Sequence, residues 1–285
     1  DDPGSDNYKF WQTQEGLLLN RGLEVWKPVV AAVNGLCLAG GMTLIPTMKA
    51  RLAQPSHLID IAGIAELSGI DVKNGRLTIG AATRHVEVAK SAVVKKAIPT
   101  LAYLASQIGD PQVRNRGTIG GSLANNDPAA DYPSAALSLN ATIVTNKREI
   151  AADDFFQGIF TTALGAGEMI VKIVFPIPAK AAYEKFPHPA SGFAMAGSFV
   201  SQDGKAVRVA ITGAGPGVFR WKDAEAALGK KLAAASVENL NVDATDLNED
   251  MHGTKEYRAN LAKVMTKRAV AKLAGTAATS KSSGK

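Results

Sequence analysis

Two glycine pairs are the residues of this chain best suited to holding a ligand. One is Ala39-Gly40-Gly41-Met42-Thr43, the other Thr118-Ile119-Gly120-Gly121-Ser122. Glycine has no Cβ and tolerates positive φ, so successive backbone N–H groups can converge on an anion. A helix opening directly afterwards adds its N-terminal donors and dipole. A hydroxyl at Thr43, Thr118 or Ser122 can supply one more contact. Two such loops suit a diphosphate better than a single phosphate. Paired glycines also occur in plain turns, so either pair alone is a weak signal.

Three further stretches bear on chemistry. Asp131, in "DPAADYP", has the acidic side chain that dinucleotide folds use for sugar hydroxyls, although Asp-Pro and Asp-Tyr-Pro also serve turns and helix caps. Lys185, in "AYEKF", is a cation that could stabilise negative charge on a reduced cofactor ring, and equally an ordinary surface lysine. "GAGPGV", residues 213–218, lacks the third glycine at dinucleotide spacing and the parallel unit around it; it reads as a sheet-to-helix connection. Cys37 is the single cysteine, which excludes an internal disulfide framework or a cysteine-ligated iron–sulfur cluster in this chain. His57, His85, His188 and His252 are scattered without metal-ligand spacing. No Ser-His-Asp or Cys-His set can be assembled.

The formal charge of +6 is spread along the chain, which argues against a nucleic-acid surface and leaves room for an acidic partner. No apolar run reaches the ~18–20 residues of a membrane helix, and there is no cationic leader. The expectation is a soluble, cytoplasmic protein without a transmembrane segment.

The elements that must carry these residues follow from pattern. "FWQTQEGLLLNRGLEVW" has helical spacing ended by Lys27-Pro28, "VVAAV" reads as a buried strand, and Asn34-Gly35 as a turn. "TLIPTMKARLA" reads as a helix and "HLIDI" as a strand. Asn74-Gly75 signals a tight hairpin within 63–90. "AVVKKAIPTLAYLASQIG" reads as one amphipathic helix. A Gly-, Asn-, Asp- and Pro-rich stretch over 109–143 then runs into a helix and a strand. Beyond residue 180, two antiparallel strands turn at Asp203-Gly204, followed by helices in "RWKDAEAALGKK" and "KEYRANLAKVMTKRAVAKLAG". The class is α+β.

Taken together and in this order, "AGGMTLIPTMKARLAQPSHLIDI", "RNRGTIGGSLANNDPAADYPSAAL" and "ITGAGP…RWKDAEAAL" resemble the FAD-binding medium subunit of molybdenum hydroxylases, of carbon monoxide dehydrogenase and xanthine dehydrogenase type. The resemblance implies a two-subdomain FAD-binding domain of vanillyl-alcohol-oxidase type over 39–178. A smaller C-terminal domain of antiparallel sheet plus helices follows over 179–275, and then a disordered tail over 276–285. It implies that FAD is held by Ala39, Gly40, Gly41, Met42 and Thr43, and by Thr118, Ile119, Gly120, Gly121 and Ser122, with Asp131, Ile170 and Lys185. Met42 stands where the family usually has an amide. No catalytic residue or metal is implied in this chain. The partners implied are an iron–sulfur small subunit that delivers electrons and a molybdenum-binding large subunit that oxidises substrate. The first 38 residues depart from that pattern: "EVWKPVVAAVNGLCLAGG" is similar to the crotonase (enoyl-CoA hydratase/isomerase) family. A flavin-free scaffold subunit and an acyl-CoA enzyme fragment are the alternatives these departures leave open.

Overall fold

The computed structural model describes residues 48–51, 61 and 63–279. The first glycine pair, the helix and strand read before it, and most of "TLIPTMKARLA" and "HLIDI" lie outside the described residues. Met48 and Lys49 are helical.

The chain from residue 70 opens with strands β1 (Ile70–Lys73) and β2 (Arg76–Gly80), paired antiparallel with Lys73 opposite Arg76. Asn74 (φ 52°) and Gly75 (φ 70°) form the turn; two positive φ values match the right-handed twist of a two-residue hairpin. Six helices follow: α1 (His85–Lys90), α2 (Ala92–Ala97), α3 (Pro99–Ser106), α4 (Pro111–Arg116), α5 (Ile119–Asn125) and α6 (Tyr132–Ser138). The single helix expected over 92–109 is therefore two. Pro99 has no N–H and pushes Ile98 out of helical space, to φ −140° and ψ 78°. The proline then serves as the first residue of α3, where a missing N–H does no harm.

After α6 come β3 (Thr142–Thr145), β4 (Glu149–Ala151), the short helix α7 (Ala152–Phe155), the small hairpin β5 (Phe156–Gly158) and β6 (Thr161–Thr162), and β7 (Ile170–Pro176). The first sheet has the order β1-β2-β7-β3-β4, antiparallel throughout. A second antiparallel sheet contains β8 (Lys180–Pro187), β9 (Ala194–Asp203), β10 (Ala206–Thr212) and β11 (Phe219–Arg220) in the order β11-β10-β9-β8. Helices α8 (Lys222–Lys230) and α9 (Lys255–Thr279) cover it. The strand β8 was not read from sequence, so Lys185 lies within the sheet rather than before it. Residues 276–279 of the expected tail are helical, as the end of α9, and the rest of it lies outside the described residues.

The period-2 alternation of the second sheet divides it between two cores. Tyr183, Phe199 and Ala210 face the core of the first unit with Leu101, Leu104 and Tyr132. Ala182, Val200, Val209 and Ile211 face α8 and α9, against Ala224, Leu228, Ala262 and Val270. Strand β9 is thus buried on both faces over Ala194–Ser201. Polar contacts seal the junction: the Ser201 hydroxyl donates to the Ser138 carbonyl (2.6 Å), Arg208 Nε to the Leu137 carbonyl (2.9 Å), and Thr212 Oγ1 to the Ala130 carbonyl (2.6 Å).

Gly213 follows β10 with φ 81°, and its N–H donates to the Pro128 carbonyl at 2.8 Å. A Cβ here would fall 2.2 Å from the Ala194 carbonyl oxygen, a backbone atom that cannot swing aside. Gly213→Ala is therefore expected to destabilise by more than about 2 kcal/mol, through positive φ and overpacking together. Thermal unfolding of the purified variant checks this; a melting temperature within a degree of the parent would contradict it.

Candidate functional site

The second glycine motif does not form a free loop. Thr118 is the N-cap of α5, and both glycines lie within that helix's first turn. Its backbone donors are already used. Ile119 N–H bonds the Thr83 carbonyl (3.1 Å), Gly120 N–H the Ala81 carbonyl (2.9 Å), and Ser122 N–H the Thr118 carbonyl (3.0 Å). Gly121 N–H bonds the Thr118 hydroxyl (3.2 Å). The expected cradle of converging N–H groups is therefore corrected: residues 81–85 act as a template on which 117–120 is seated. Arg84 and Thr118 bridge antiparallel, and His85 N–H returns a bond to the Gly117 carbonyl (2.9 Å). Glycine at 120 permits close approach, since a Cβ would meet Ala81 Cβ at 2.5 Å.

Ile170 joins this assembly through its strand. Its buried side chain belongs to the first core and its backbone pairs with Thr145 at the head of β7. The next residue, Val171, accepts a bond from Ala81 N–H (2.9 Å), and Ala81 in turn accepts from Gly120. Strand β7 and the glycine helix are thus two hydrogen bonds apart.

Asp131 and Lys185 are brought into direct contact. The ammonium lies 3.0 Å from Oδ1 and 3.2 Å from Oδ2, and it also donates to the Gln107 carbonyl at 2.7 Å. Gln107 ends α3, where the helix dipole favours a cation. The Tyr183 hydroxyl makes a short hydrogen bond to Oδ1. The two charged side chains are only 1% and 6% exposed, so each is the other's compensation. Burial pushes the Asp131 carboxyl upward, against the opposing pull of Lys185 and the Tyr183 hydroxyl. Burial, reinforced by Asp131, keeps the Tyr183 hydroxyl protonated and therefore a donor. Lys185 and Tyr183 also line a cavity of ≈ 240 Å³ with Tyr103, Gln107 and Gly192.

Three residues were not singled out from sequence. Tyr183 is two positions before Lys185 on one strand, so the pair shares a face; that spacing was a readable signal once a strand is assumed. Asn126 ends α5 in the left-handed region (φ 44°), and its amide donates to the Gly158 and Thr161 carbonyls at 2.7 and 2.8 Å. It ties the β5–β6 hairpin to the glycine helix. His85 is wedged between Gly117, where a Cβ would fall 2.5 Å from Nε2, and the Tyr132 ring at 5.3 Å between centroids. Burial, with Arg114 nearby, lowers its pKa to about 3, so the ring is neutral. His85 Nδ1, Tyr132 Oη and Asn126 Oδ1 are buried without a hydrogen-bond partner among the described residues.

The donor set fits a ligand that combines hydroxyls, phosphate and a polar ring. Thr118 and half-buried Ser122 bring hydroxyls beside bare helix backbone, and Lys185 brings a fixed cation. Asp131 retains acceptor capacity, because a carboxylate has about four lone-pair sites. The orphaned atoms of His85 and Tyr132 lie in the same region, next to the glycine turn and to Asp131.

Two outcomes follow from these contacts. His85 titrates near 6.5 when unfolded and near 3 when folded, so the unfolded chain binds the extra proton between those values. Its stabilising effect is complete above pH 6.5 and declines as pH falls toward 3, by about 2 kcal/mol at pH 5. Denaturant titrations at pH 7 and 5 should show that loss, and His85→Phe should reduce it. Separately, Lys185→Met should cost about 3–5 kcal/mol by stranding a buried carboxylate, and adding Asp131→Asn should restore part of it. A double variant no more stable than the single one would refute the coupling.

Comparison with known proteins places the chain in a family. Residues 26–178 match the model of the FAD binding domain in molybdopterin dehydrogenase, and residues 182–273 that of the CO dehydrogenase flavoprotein C-terminal domain. The chain is 37% identical to the carbon monoxide dehydrogenase medium chain of Hydrogenophaga pseudoflava, over 82% of this chain and 87% of that one. It is 33% identical to the nicotine 6-hydroxylase medium subunit of Paenarthrobacter nicotinovorans, over 82% and 87%. The fold matches that of carbon monoxide dehydrogenase from Hydrogenophaga pseudoflava with a TM-score of 0.74 at 36% identity, covering 84% of this chain and 88% of the other. It matches quinoline 2-oxidoreductase from Pseudomonas putida 86 with a TM-score of 0.75 at 30% identity, covering 84% and 88%. The first match begins at residue 26, within the 38 residues expected to depart from the family's pattern. With both domain models matched in order and relatives above 30% identity across most of its length, the chain belongs to the FAD-binding medium-subunit family of the molybdenum-dependent dehydrogenases.

Proposed function

We propose that this chain is the electron-transferring flavin subunit of a cytoplasmic molybdenum hydroxylase complex. It would receive electrons from an iron–sulfur subunit, while a molybdenum-binding subunit oxidises the substrate, and would pass them to an external acceptor. The observation that carries the reading is that residues predicted for one cofactor converge from both domains: Asp131 from the first and Lys185 from the second, in direct contact. Among the described residues no group of His, Cys, Asp and Glu could hold a metal ion. Also among the described residues, no helix is long and apolar enough to cross a membrane.

FAD, when bound, supplies the redox chemistry, and the protein supplies position and field. Ala39 to Thr43 and Thr118 to Ser122 would hold the diphosphate. In the second motif the contact would come from the Thr118 and Ser122 hydroxyls and the small glycine surface, because the N–H groups of 119–122 are engaged within the chain. Asp131 would accept from a sugar or polyol hydroxyl. The Lys185 ammonium, fixed by Asp131 and the Gln107 carbonyl, would favour negative charge on the reduced ring. Ile170, at the head of β7 where the pairing with β3 shifts register, would offer an apolar backbone contact.

The test is the flavin content of the purified chain. Stoichiometric FAD is expected from the absorption spectrum, falling to less than about a tenth in Gly121→Val while far-ultraviolet circular dichroism is retained. Asp131→Asn, which also leaves the buried Lys185 ammonium without its counter-charge, should weaken FAD binding by at least about tenfold, one charge-assisted hydrogen bond being worth ~1.5 kcal/mol, with thermal unfolding as the control for lost stability. Unchanged flavin content in both variants, or a colourless parent protein, would refute the reading.

A further inference from the structure

Away from Asp131 and Lys185, a cleft lies where the β5 end of the first unit faces β11 and α8 of the second. A cavity of ≈ 560 Å³ adjoins one of ≈ 340 Å³, and the two share Phe156, Val218, Phe219, Arg220 and Lys222. This size and this position between two units are those of small-molecule sites. The "GAGPGV" connection, which proved to link β10 to β11, forms part of its wall.

The walls determine what chemistry fits. Phe156, Phe219, Trp221 and Leu247 give an aromatic and apolar lining. The bases on it share two carboxylates. Arg208 and Arg220 both pair with Asp153, at 2.5 and 3.2 Å, Arg220 also holds Glu225 at 2.6 Å, and exposed Lys222 lies 3.9 Å from the same Glu225. The acids outnumber the bases. Asp223, Asp243 and Asp246 line the same cavity, and none forms an ion pair among the described residues. Asp243 accepts from the N–H and hydroxyl of Thr245, which leaves its charge uncompensated. Asp153, Glu225, Asp223, Asp243 and Asp246 stand against Arg208, Arg220 and Lys222, so the walls are net negative and disfavour an anion, and a neutral apolar ligand would cover three carboxylates without replacing their water.

We propose that this cleft binds a small organic cation, an amine on a flat apolar body. The body lies against Phe156, Phe219 and Trp221, and the charge lies toward Asp223 and Asp246. Cation attraction to aromatic faces and to carboxylates acts in the same direction. The site is independent of the flavin site, because it uses none of the residues assigned to FAD.

The test is ligand-observed NMR on the full, FAD-loaded chain, with phenethylammonium as probe and 2-phenylethanol as its uncharged counterpart. Saturable binding near about 1 mM is expected for the ammonium, a level usual for a ligand of this size, with the alcohol at least about fivefold weaker. Asp223→Asn with Asp246→Asn should weaken the ammonium about tenfold and leave flavin absorbance and melting temperature unchanged. Both side chains are exposed, so the variant tests the cleft rather than the fold. Absence of saturable binding, equal binding of the alcohol, or an unaffected double variant would each overturn the proposal.

Discussion

The buried ion pair between Asp131 and Lys185 constrains everything near it. A carboxylate and an ammonium that are almost wholly removed from water are tolerable only together, and only with their remaining hydrogen-bonding capacity used. Tyr183 and the Gln107 carbonyl provide that. Asp131 stands at the start of α6 in the first unit, and Lys185 stands on β8 in the second. The pair therefore fixes where the second sheet lies against the first unit. The same contact requires α3 to end where it does, since Gln107 presents its carbonyl to the ammonium. The break at Pro99, which starts α3 afresh, is part of that geometry.

The glycine helix obeys a second constraint. Glycines beside a helix start suggest an anion cradle, yet the N–H groups of 119–122 all have partners within the chain. What glycine gives at 117 and 120 is contact distance. One lets the His85 ring lie against backbone, and the other lets α5 sit on Ala81. His85 then spans from the glycine turn to Tyr132, the neighbour of Asp131. A neutral imidazole thus lies between the glycine helix and the neighbour of Asp131, and the hydrogen bonds of residues 81–85 hold that helix in place.

Legibility in the sequence followed the range of the interaction. Asn74-Gly75 and Asp203-Gly204 are local turn chemistry, and both hairpins are present. The two helices after residue 220 were also legible, from composition and period. The helix over 92–109 was misread because amphipathic spacing continues across Ile98-Pro99, while the backbone cannot. Strand β8 escaped because Lys180–Pro187 mixes charged and apolar residues, and its pleat becomes evident only against β9. Asp131 and Lys185 were identified by family resemblance rather than by pattern, and their mutual contact spans 54 residues. His85 had no sequence signal at all: its environment is assembled from Gly117 and Tyr132, which no spacing rule connects to it.

Strand order carries a consequence for how the chain is made. Strand β7 lies at the centre of the first sheet, between β2 and β3, although it is the last of the five in sequence. During synthesis, β2 emerges well before its partner, since the paired residues Arg76 and Pro176 are 100 positions apart. Until then β2 and β3 each have an open edge, and Ala81 lacks the Val171 carbonyl that later anchors the glycine helix. The nascent first unit is thus held as two incomplete hairpins, β1–β2 and β3–β4, that one late strand zips together. The interval before that strand leaves the ribosome is when this chain is most exposed to mispairing and most in need of chaperone cover.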